Sequence, residues 1–348
     1  MQHTERRDTL PPFSLLMAVY GGNSLREVER SIQSSTIEQV LPPSQVVIVR
    51  DGPVSDDVQR YLDTLPSTMS VWFTAEHPDE PVPDVTIVEF DENHGLAHAL
   101  NVGLAHCTYD IVARCDCDDV SLPNRFSTIL PQFVHRSNAA HTKTESRRPI
   151  DVMGSAIREF SGDEDEPGQI RILPAEGDDL ERYARMQSPV HHPSVVYRKS
   201  AVLDAGGYPE DSGRFEDYML WERMMLRHAQ FLNVPQPLVL YRTNDAAYER
   251  RGGKEMFRDE LKLQWRFVRD SFTSPWQFVR NVCLRAVYRI IPTSLRQRAY
   301  RMLTSRHNTE IGATPTPPEP PQLGRHCATR AAGDTDGAHT PSGADDAR

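Results

Sequence analysis

The residues with the greatest chemical potential lie in one acidic run, Arg114-Cys115-Asp116-Cys117-Asp118-Asp119-Val120. Carboxylates packed this closely repel one another and cost stability unless a cation sits among them. Oxygen donors suit Mg2+ or Mn2+, ions that share their coordination with substrate phosphates. A solvated acidic loop has the same composition, so placement decides between the two readings. The run follows the apolar stretch Tyr109-Asp110-Ile111-Val112-Ala113 and precedes Ser121-Leu122-Pro123-Asn124-Arg125. That order reads as strand, acidic loop and helix start. In open α/β sheets ligands bind at the carboxyl end of the strands, where these carboxylates would stand.

Other candidates are fewer. Asp51-Gly52-Pro53 and Asn93-His94-Gly95 fall at predicted strand ends. Asp51 could accept from a base or a ribose, and a plain Asp-Gly turn explains the pair as well. Glu216 and Asp217 open a helix predicted over Phe215 to His228. There the macrodipole favours ionised carboxylates, which serve either as helix-end charges or as acceptors of a proton from an attacking hydroxyl. Cys115 and Cys117 read as small packing residues, since no second C-x-C or C-x-x-C and no well-spaced His pair accompanies them. Neither G-x-G-x-x-G nor G-x-x-x-x-G-K-[ST] occurs, which counts against dinucleotide oxidoreductases and P-loop NTPases. A metal is then the expected means of holding a diphosphate.

The elements that must position these groups alternate. Phe13 to Tyr20 reads as a buried strand, followed by a turn at Gly21-Gly22-Asn23-Ser24 and a helix from Leu25 to Gln33. Gln45 to Arg50 is a second strand with a helix from Asp56 to Leu62, and Val85 to Phe90 a third, with a helix carrying Leu96, Leu100 and Leu104. Strand and helix thus alternate three times before the acidic run, the pattern of a parallel, doubly wound sheet. From Asp151 the pattern changes: a strand over Asp151 to Phe160, an acidic turn, a partner strand over Gln169 to Leu173, and a helix from Asp179 to Met186.

Composition sets bounds. The 348 residues hold one large domain with appendages or two smaller ones, and 38% hydrophobic residues support a core. The net charge of −10 is asymmetric, with a basic last third before the tail, which argues against a uniformly basic nucleic-acid binder. The 5 cysteines, Cys107, Cys115, Cys117, Cys283 and Cys327, are scattered and fit a reducing compartment. No signal-peptide organisation and no membrane-spanning apolar run is present, so the expected location is the cytoplasm.

Taken in order, Val19-Tyr20, Asp51-Gly52, Asn93-x-Gly95-Leu96-Ala97-x-Ala99-Leu100-Asn101-x-Gly103, Ala113-Arg114-x-Asp116-x-Asp118-Asp119-x-x-x-Pro123-x-Arg125, His192-Pro193-Ser194-Val195, Gly206-Gly207-Tyr208, Glu216-Asp217-Tyr218-x-Leu220-Trp221 and Tyr241-Arg242 form a series. The series resembles the family-2 glycosyltransferases of GT-A fold, most of all bacterial enzymes that build exopolysaccharide or capsule repeat units. The likeness runs over residues 12–305. It implies a mixed, mainly parallel sheet with helices on both faces, and inverting transfer from a nucleotide-sugar donor. By the same resemblance Val19, Tyr20, Asp51 and Asn93 contact the nucleotide and Asp116 the ribose. Asp118 and Asp119 hold the metal, and Asp217, beside Glu216, is the general base. Arg250 and Arg251, in an Arg-Arg-Gly-Gly loop, would neutralise the leaving diphosphate. Where relatives carry a His after Tyr-Arg, this chain has Thr243-Asn244. His191 or His192 is the expected substitute as metal ligand, or the carboxylates act alone.

The chain then divides into an extension at 1–11, a GT-A domain at 12–249, a basic loop with amphipathic helices at 250–306 and a disordered tail at 307–348. A mobile loop is expected from Ser137 to Pro149. Helices are predicted from Glu255 to Phe272 and from Trp276 to Ile291, with a shorter segment from Leu295 to Leu303. No acid occurs between Ser271 and Arg306. The second helix puts Trp276, Val279, Cys283, Val287 and Ile290 on one face. These helices either cap the enzyme core or lie as a collar on anionic lipid at the inner face of the plasma membrane, bringing the site to a polyprenyl-diphosphate-linked saccharide. Two rivals are a sugar nucleotidyltransferase, which normally begins with a Gly-rich loop carrying Arg and Lys, and a non-catalytic nucleotide-sugar-binding subunit of an assembly complex.

Overall fold

Strand β1 (Phe13–Tyr20) is apolar along nearly its whole length because both of its faces are covered. Leu15, Met17 and Val19 point into one apolar layer and Leu16 into the other, as the two-residue period of a strand requires. β2 (Gln45–Asp51) alternates the same way, with Val46 and Ile48 on the first side and Val47 on the second. The computed structural model describes residues 10–139, 148–166, 168–243 and 254–290. Arg250, Arg251, Asn244, Cys327, the segment 140–147, the predicted segment from Leu295 to Leu303 and the tail lie outside the described residues.

The first layer is roofed by α1 (Leu25–Ser35), α2 (Asp56–Glu76) and, after the acidic run, α4 (Arg125–Ala139). Ser24 and Glu27 form a reciprocal capping box that starts α1. α2 runs well beyond the predicted end at Leu62. Val58, Leu62, Leu65, Met69 and Phe73 are all buried at helical spacing, and Pro66 sits on the exposed side where its missing N–H costs least. The second layer contains α3 (Leu96–His106) and, later in the chain, α6 (Lys199–Asp204) and α7 (Glu216–Leu226). Its largest side chain is Trp221, fully buried against His192, Tyr197 and Phe231. Truncating such a ring costs about 3–5 kcal/mol.

β3 (Asp84–Glu89), β2, β1 and β4 (Ile111–Asp116) lie side by side and parallel. After β1 the chain moves outward through β2 and β3, then crosses back to β4 on the other side. The crevice at the carboxyl ends of β1 and β4 is therefore the switch point of the sheet. Beyond β4 the sheet becomes mixed, in the order β8 (Val196–Arg198), β6 (Val152–Phe160), β9 (Phe231–Arg242) and β5 (Val120–Ser121), with β7 (Ile170–Arg171) on β6. α5 (Gly177–Ala184) follows β7. β8 and most of β9 were not expected from the sequence. Pro235 and Pro237 disguise β9, and register shifts opposite Ser155 and Ala156 accommodate them.

α8 (Lys254–Arg269) and α9 (Pro275–Ile290) follow the strands. α8 packs against the sheet domain: Leu263 and Phe267 join Tyr218 and Met219 of α7 in a third apolar cluster. α9 is tied to it through buried polar groups, with Asn281 donating to Gln264 and to the Arg185 carbonyl at 2.8 Å each. The outward face of α9 is apolar: Trp276, Val279 and Leu284 are exposed.

Candidate active site

The acidic loop is held from three sides. The Asp116 carbonyl accepts from Ser31 Oγ of α1 at 2.6 Å, and Cys117 Sγ donates to the Ala18 carbonyl of β1 at 3.0 Å. From the end of β9, the Arg242 backbone N–H donates to Asp119 Oδ1 and its Nε to the Asp118 carbonyl, both at 2.8 Å. Cys115 and Cys117 are buried packing residues, as read from the sequence.

Within this frame Asp116, Asp118 and Asp119 each bring one carboxylate oxygen within 4.8 Å of the others. Asp119 is buried, and its Oδ2 has no hydrogen-bond partner. Burial first, then the neighbouring Asp116 charge, pushes Asp118 up to about 6 and Asp119 well above the usual carboxylate range. A hard divalent cation would satisfy both the orphaned oxygen and the repulsion, so the donor set fits Mg2+ or Mn2+. Asp116 is used differently. The buried Arg114 guanidinium makes a two-pronged contact with it, Nη1 to Oδ2 at 2.7 Å and Nη2 to Oδ1. Burial works against the Arg114 charge, but Asp116, Tyr208 and Asp119 outweigh it and hold the guanidinium protonated.

Glu216 and Asp217 stand in the first turn of α7, half-buried. Burial and then the adjacent Asp217 charge raise Glu216 to about 7, and burial raises Asp217 to about 6. Arg114 lowers both and Asp116 raises both, so the acidic loop and the start of α7 share one charged neighbourhood. Residues about a hundred positions apart thus come to one place around a single guanidinium.

At the neighbouring strand end, Asp51 accepts from the backbone N–H groups of His94 at 2.7 Å and Gly95 at 3.0 Å, and from Asn93 Nδ2 at 3.0 Å. Gly52 makes this possible: its φ is +83°, and a Cβ would lie 2.7 Å from Asn93 N. The structure therefore joins the two loops predicted to contact a nucleotide, while spending much of the Asp51 carboxylate on holding them together. Asn93 is exposed beside it. Tyr20 is 47% exposed at the end of β1. Val19 needs a correction, because its side chain is fully buried in the first apolar layer and leaves only backbone for a ligand.

The histidines also need one. His192 lies outside the acidic group; its Nε2 meets Tyr208 Oη at 3.1 Å, and burial holds it neutral. His191 meets the Arg171 carbonyl at 3.3 Å and is pushed down to about 3, by burial first. Each ring nitrogen that bonds is thus turned to a tyrosine hydroxyl or a backbone carbonyl, and the group that could hold a metal among the described residues is Asp116, Asp118 and Asp119.

Several motif residues had been given no role in the sequence. Arg125, fully buried, donates to Cys115 Sγ, Ser121 Oγ and the carbonyls of Arg114 and Pro193, and so braces the loop from below. Asn101 exchanges two bonds of 2.8 Å with the Tyr208 backbone and fixes the Gly206-Gly207 turn. Arg242 clamps the acidic loop. Their adjacency to acidic or Gly-rich motifs was the only available signal, since Asn101 and Arg242 act through partners far along the chain and Arg125 ties its own loop to Pro193.

Comparison with known proteins extends this picture. The profile described as Glycosyl transferase family 2 matches residues 14–150. A UDP-Gal:alpha-D-GlcNAc-diphosphoundecaprenol beta-1,3-galactosyltransferase of Escherichia coli is 31% identical over 302 residues, covering 86% of this chain and 98% of that protein. The amylovoran biosynthesis glycosyltransferase AmsE of Erwinia amylovora is 30% identical, covering 83% of this chain and 97% of its own. Among solved structures, S. aureus TarS superposes with a TM-score of 0.52 at 14% identity, over 74% of this chain and 40% of TarS. The mixed sheet with helices on both faces is the GT-A fold of that neighbour. On these grounds the chain belongs to glycosyl transferase family 2 and is a glycosyltransferase.

Proposed function

We propose that this protein is an inverting transferase that moves a sugar from a nucleotide-diphosphate donor to a hydroxyl of a saccharide carried on a polyprenyl diphosphate. The reading assigns it to cell-surface polysaccharide synthesis, exopolysaccharide or capsule, at the inner face of the plasma membrane. The observation that carries it is the meeting of the acidic loop and the first turn of α7 around Arg114. The Escherichia coli galactosyltransferase named above, which takes UDP-Gal and a diphosphoundecaprenol-linked GlcNAc, supports the same donor and acceptor classes.

Asp118 and Asp119 would hold Mg2+ or Mn2+, which supplies charge neutralisation for a departing nucleoside diphosphate. Asp116, occupied by the Arg114 fork, offers its remaining lone pairs to the ribose. Tyr20, Asn93 and the loop organised by Asp51 border the nucleotide, with Val19 contributing backbone. Asp217 accepts the proton of the attacking hydroxyl; with its pKa raised to about 6 it is ionised at neutral pH yet basic enough to take a proton. Glu216 shapes the field around it. Arg250 and Arg251 are proposed to face the leaving diphosphate. The exposed Trp276, Val279 and Leu284 of α9, in a stretch free of acids, suit contact with an anionic membrane surface. No helix among the described residues is long and apolar enough to cross a membrane.

The test is Asp217→Asn. Transfer falls by about 10^2–10^4-fold, the span of a lost general base, while Mn2+-dependent stabilisation by the nucleotide sugar persists. Equal turnover by this variant removes the assignment. A panel of UDP-, GDP- and dTDP-sugars, scored by metal-dependent thermal shift, identifies the donor.

A further inference from the structure

The helix that carries Glu216 and Asp217 also borders a concavity. The hollow has a volume of about 410 Å³ and lies between the loop at 211–213, Met219 of α7 and one flank of α8. Cavities of this size hold small ligands. Its floor is apolar, from the buried Met219 and Leu263. Trp265 forms part of its wall and is 64% exposed. Along α8, Lys262, Arg266 and Arg269 recur at helical spacing and place three cations on the same hollow.

Two of those cations are loosely engaged. Asp211 and Asp259 also line the hollow, and Lys262, 68% exposed, is 3.5 Å from Asp259. Arg269 meets Asp270 at 2.9 Å with 64% of its own side chain in solvent. Arg266, only 20% exposed, is held between Asp211 at 3.7 Å and Asp270 at 3.4 Å. The exposed Lys262 and Arg269 pairs contribute little and yield readily to a stronger anion. Guanidinium groups bind phosphate oxygens in two-pronged fashion, and an ammonium adds a point charge. The apolar surface also continues outward. Trp265 packs edge-on to Phe278 of α9 at 6.2 Å, next to the exposed Trp276 and Val279. Cations beside an apolar track match an anion that ends in a hydrocarbon chain better than a neutral sugar.

We propose that this hollow is the acceptor's anchoring subsite, taking a diphosphate on Lys262, Arg266 and Arg269 and the first isoprene units along Trp265. The inference rests on the lipid-linked acceptor proposed above and deepens it. Gly213, on the rim, is four residues from Asp217, at most about 14 Å of chain. On this proposal a saccharide attached to the anchored diphosphate turns around the start of α7 and presents its hydroxyl to Asp217.

The test is calorimetric binding of farnesyl diphosphate to the full chain in EDTA, which keeps the metal-dependent donor site out of the measurement. Inorganic diphosphate and phosphatidylglycerol vesicles form the other arms. Farnesyl diphosphate should bind the wild type, with inorganic diphosphate weaker by about tenfold because it leaves the Trp265 wall unused. Lys262→Gln/Arg269→Gln, two exposed sites whose change leaves the fold intact, should weaken farnesyl diphosphate by about tenfold or more. In steady state the same variant should raise the acceptor KM by a similar factor and leave the donor KM alone. Unchanged binding in the double variant overturns the proposal. So does inorganic diphosphate binding as tightly, or displacement by phosphatidylglycerol at equal phosphate. The nucleotide-sugar thermal shift, run on the same protein with Mn2+ in place of EDTA, separates the two readings: a donor that binds beside a farnesyl diphosphate that does not sinks only this inference.

Discussion

Two carboxylates stand at the carboxyl ends of parallel strands in this sheet, equally hidden from solvent, and they have opposite lives. Asp51, at the end of β2, is 4% exposed and accepts from three donors on the neighbouring loop. Asp119, just beyond β4, is also 4% exposed, yet it has one donor, one bare oxygen and two acidic neighbours. The first carboxylate organises backbone, while the second is left wanting a cation. Burial alone does not separate a structural acid from a chemical one; the count of donors around it does.

Substitution at both positions sharpens that contrast. Asp119→Asn should cost the most activity, on the order of 10^3-fold, because neutralising a site of phosphate charge removes several kcal/mol of transition-state stabilisation. Its fold should hold: without metal, relief of repulsion from Asp116 and Asp118 keeps the melting temperature at or above that of the wild type. Mn2+ should then stabilise the wild type and not the variant, as a ligand of the native state alone does. Asp51→Asn should do the reverse. Its amide would face N–H groups and leave one of them unsatisfied, at about 1–3 kcal/mol, lowering the melting temperature by several degrees. Activity should suffer less, mainly through a higher donor KM as the Asn93-His94-Gly95 loop loosens. If both variants lose stability equally and both still respond to Mn2+, the distinction collapses.

The contrast also marks how far the sequence could be read. Periodicity places β1 to β4 and the starts of the helices between them within a few residues, because buried strands are unbroken apolar runs, while the end of α2 at Glu76 lies well past the predicted Leu62. β9 escapes, since its prolines imitate a loop and its pairing with β6 is set by residues many positions away. The acidic loop is legible because its like charges are adjacent in the chain. Asp51 is only half legible: the Asp-Gly pair is plain, but its donors lie at 93–95. Arg242 appears as a motif letter whose work depends on neighbours far along the chain, while Arg114 and Arg125 combine near partners, Asp116 and Ser121, with contacts that only the fold supplies. The sequence could not choose between a histidine ligand and carboxylates alone for the same reason, because a His-Pro turn looks the same in sequence whether its ring faces a cation or a tyrosine.

The smallest effect concerns pH, where the first turn of α7 is a third kind of carboxylate site. Burial raises Asp217 to about 6 and, with help from the Asp217 charge, Glu216 to about 7; Arg114 opposes both shifts, and Asp116 reinforces them. In the unfolded chain such groups titrate near 4. The native state therefore binds these protons more tightly than the unfolded state does. Their contribution to stability is fully present below pH about 4 and is lost as pH rises through about 6 to 7. Activity runs the other way, since Asp217 must be ionised to accept a proton, and turnover should fall about tenfold per unit below pH 6. Between pH 5 and 7 the enzyme should thus gain rate while this pair's share of its stability declines. Parallel measurement of kcat and melting temperature across that window reads both slopes, and Asp217→Asn should flatten much of the stability slope. An activity limb near pH 4 would place the proton acceptor on an ordinary solvated acid and would return Asp217 to the class of Asp51.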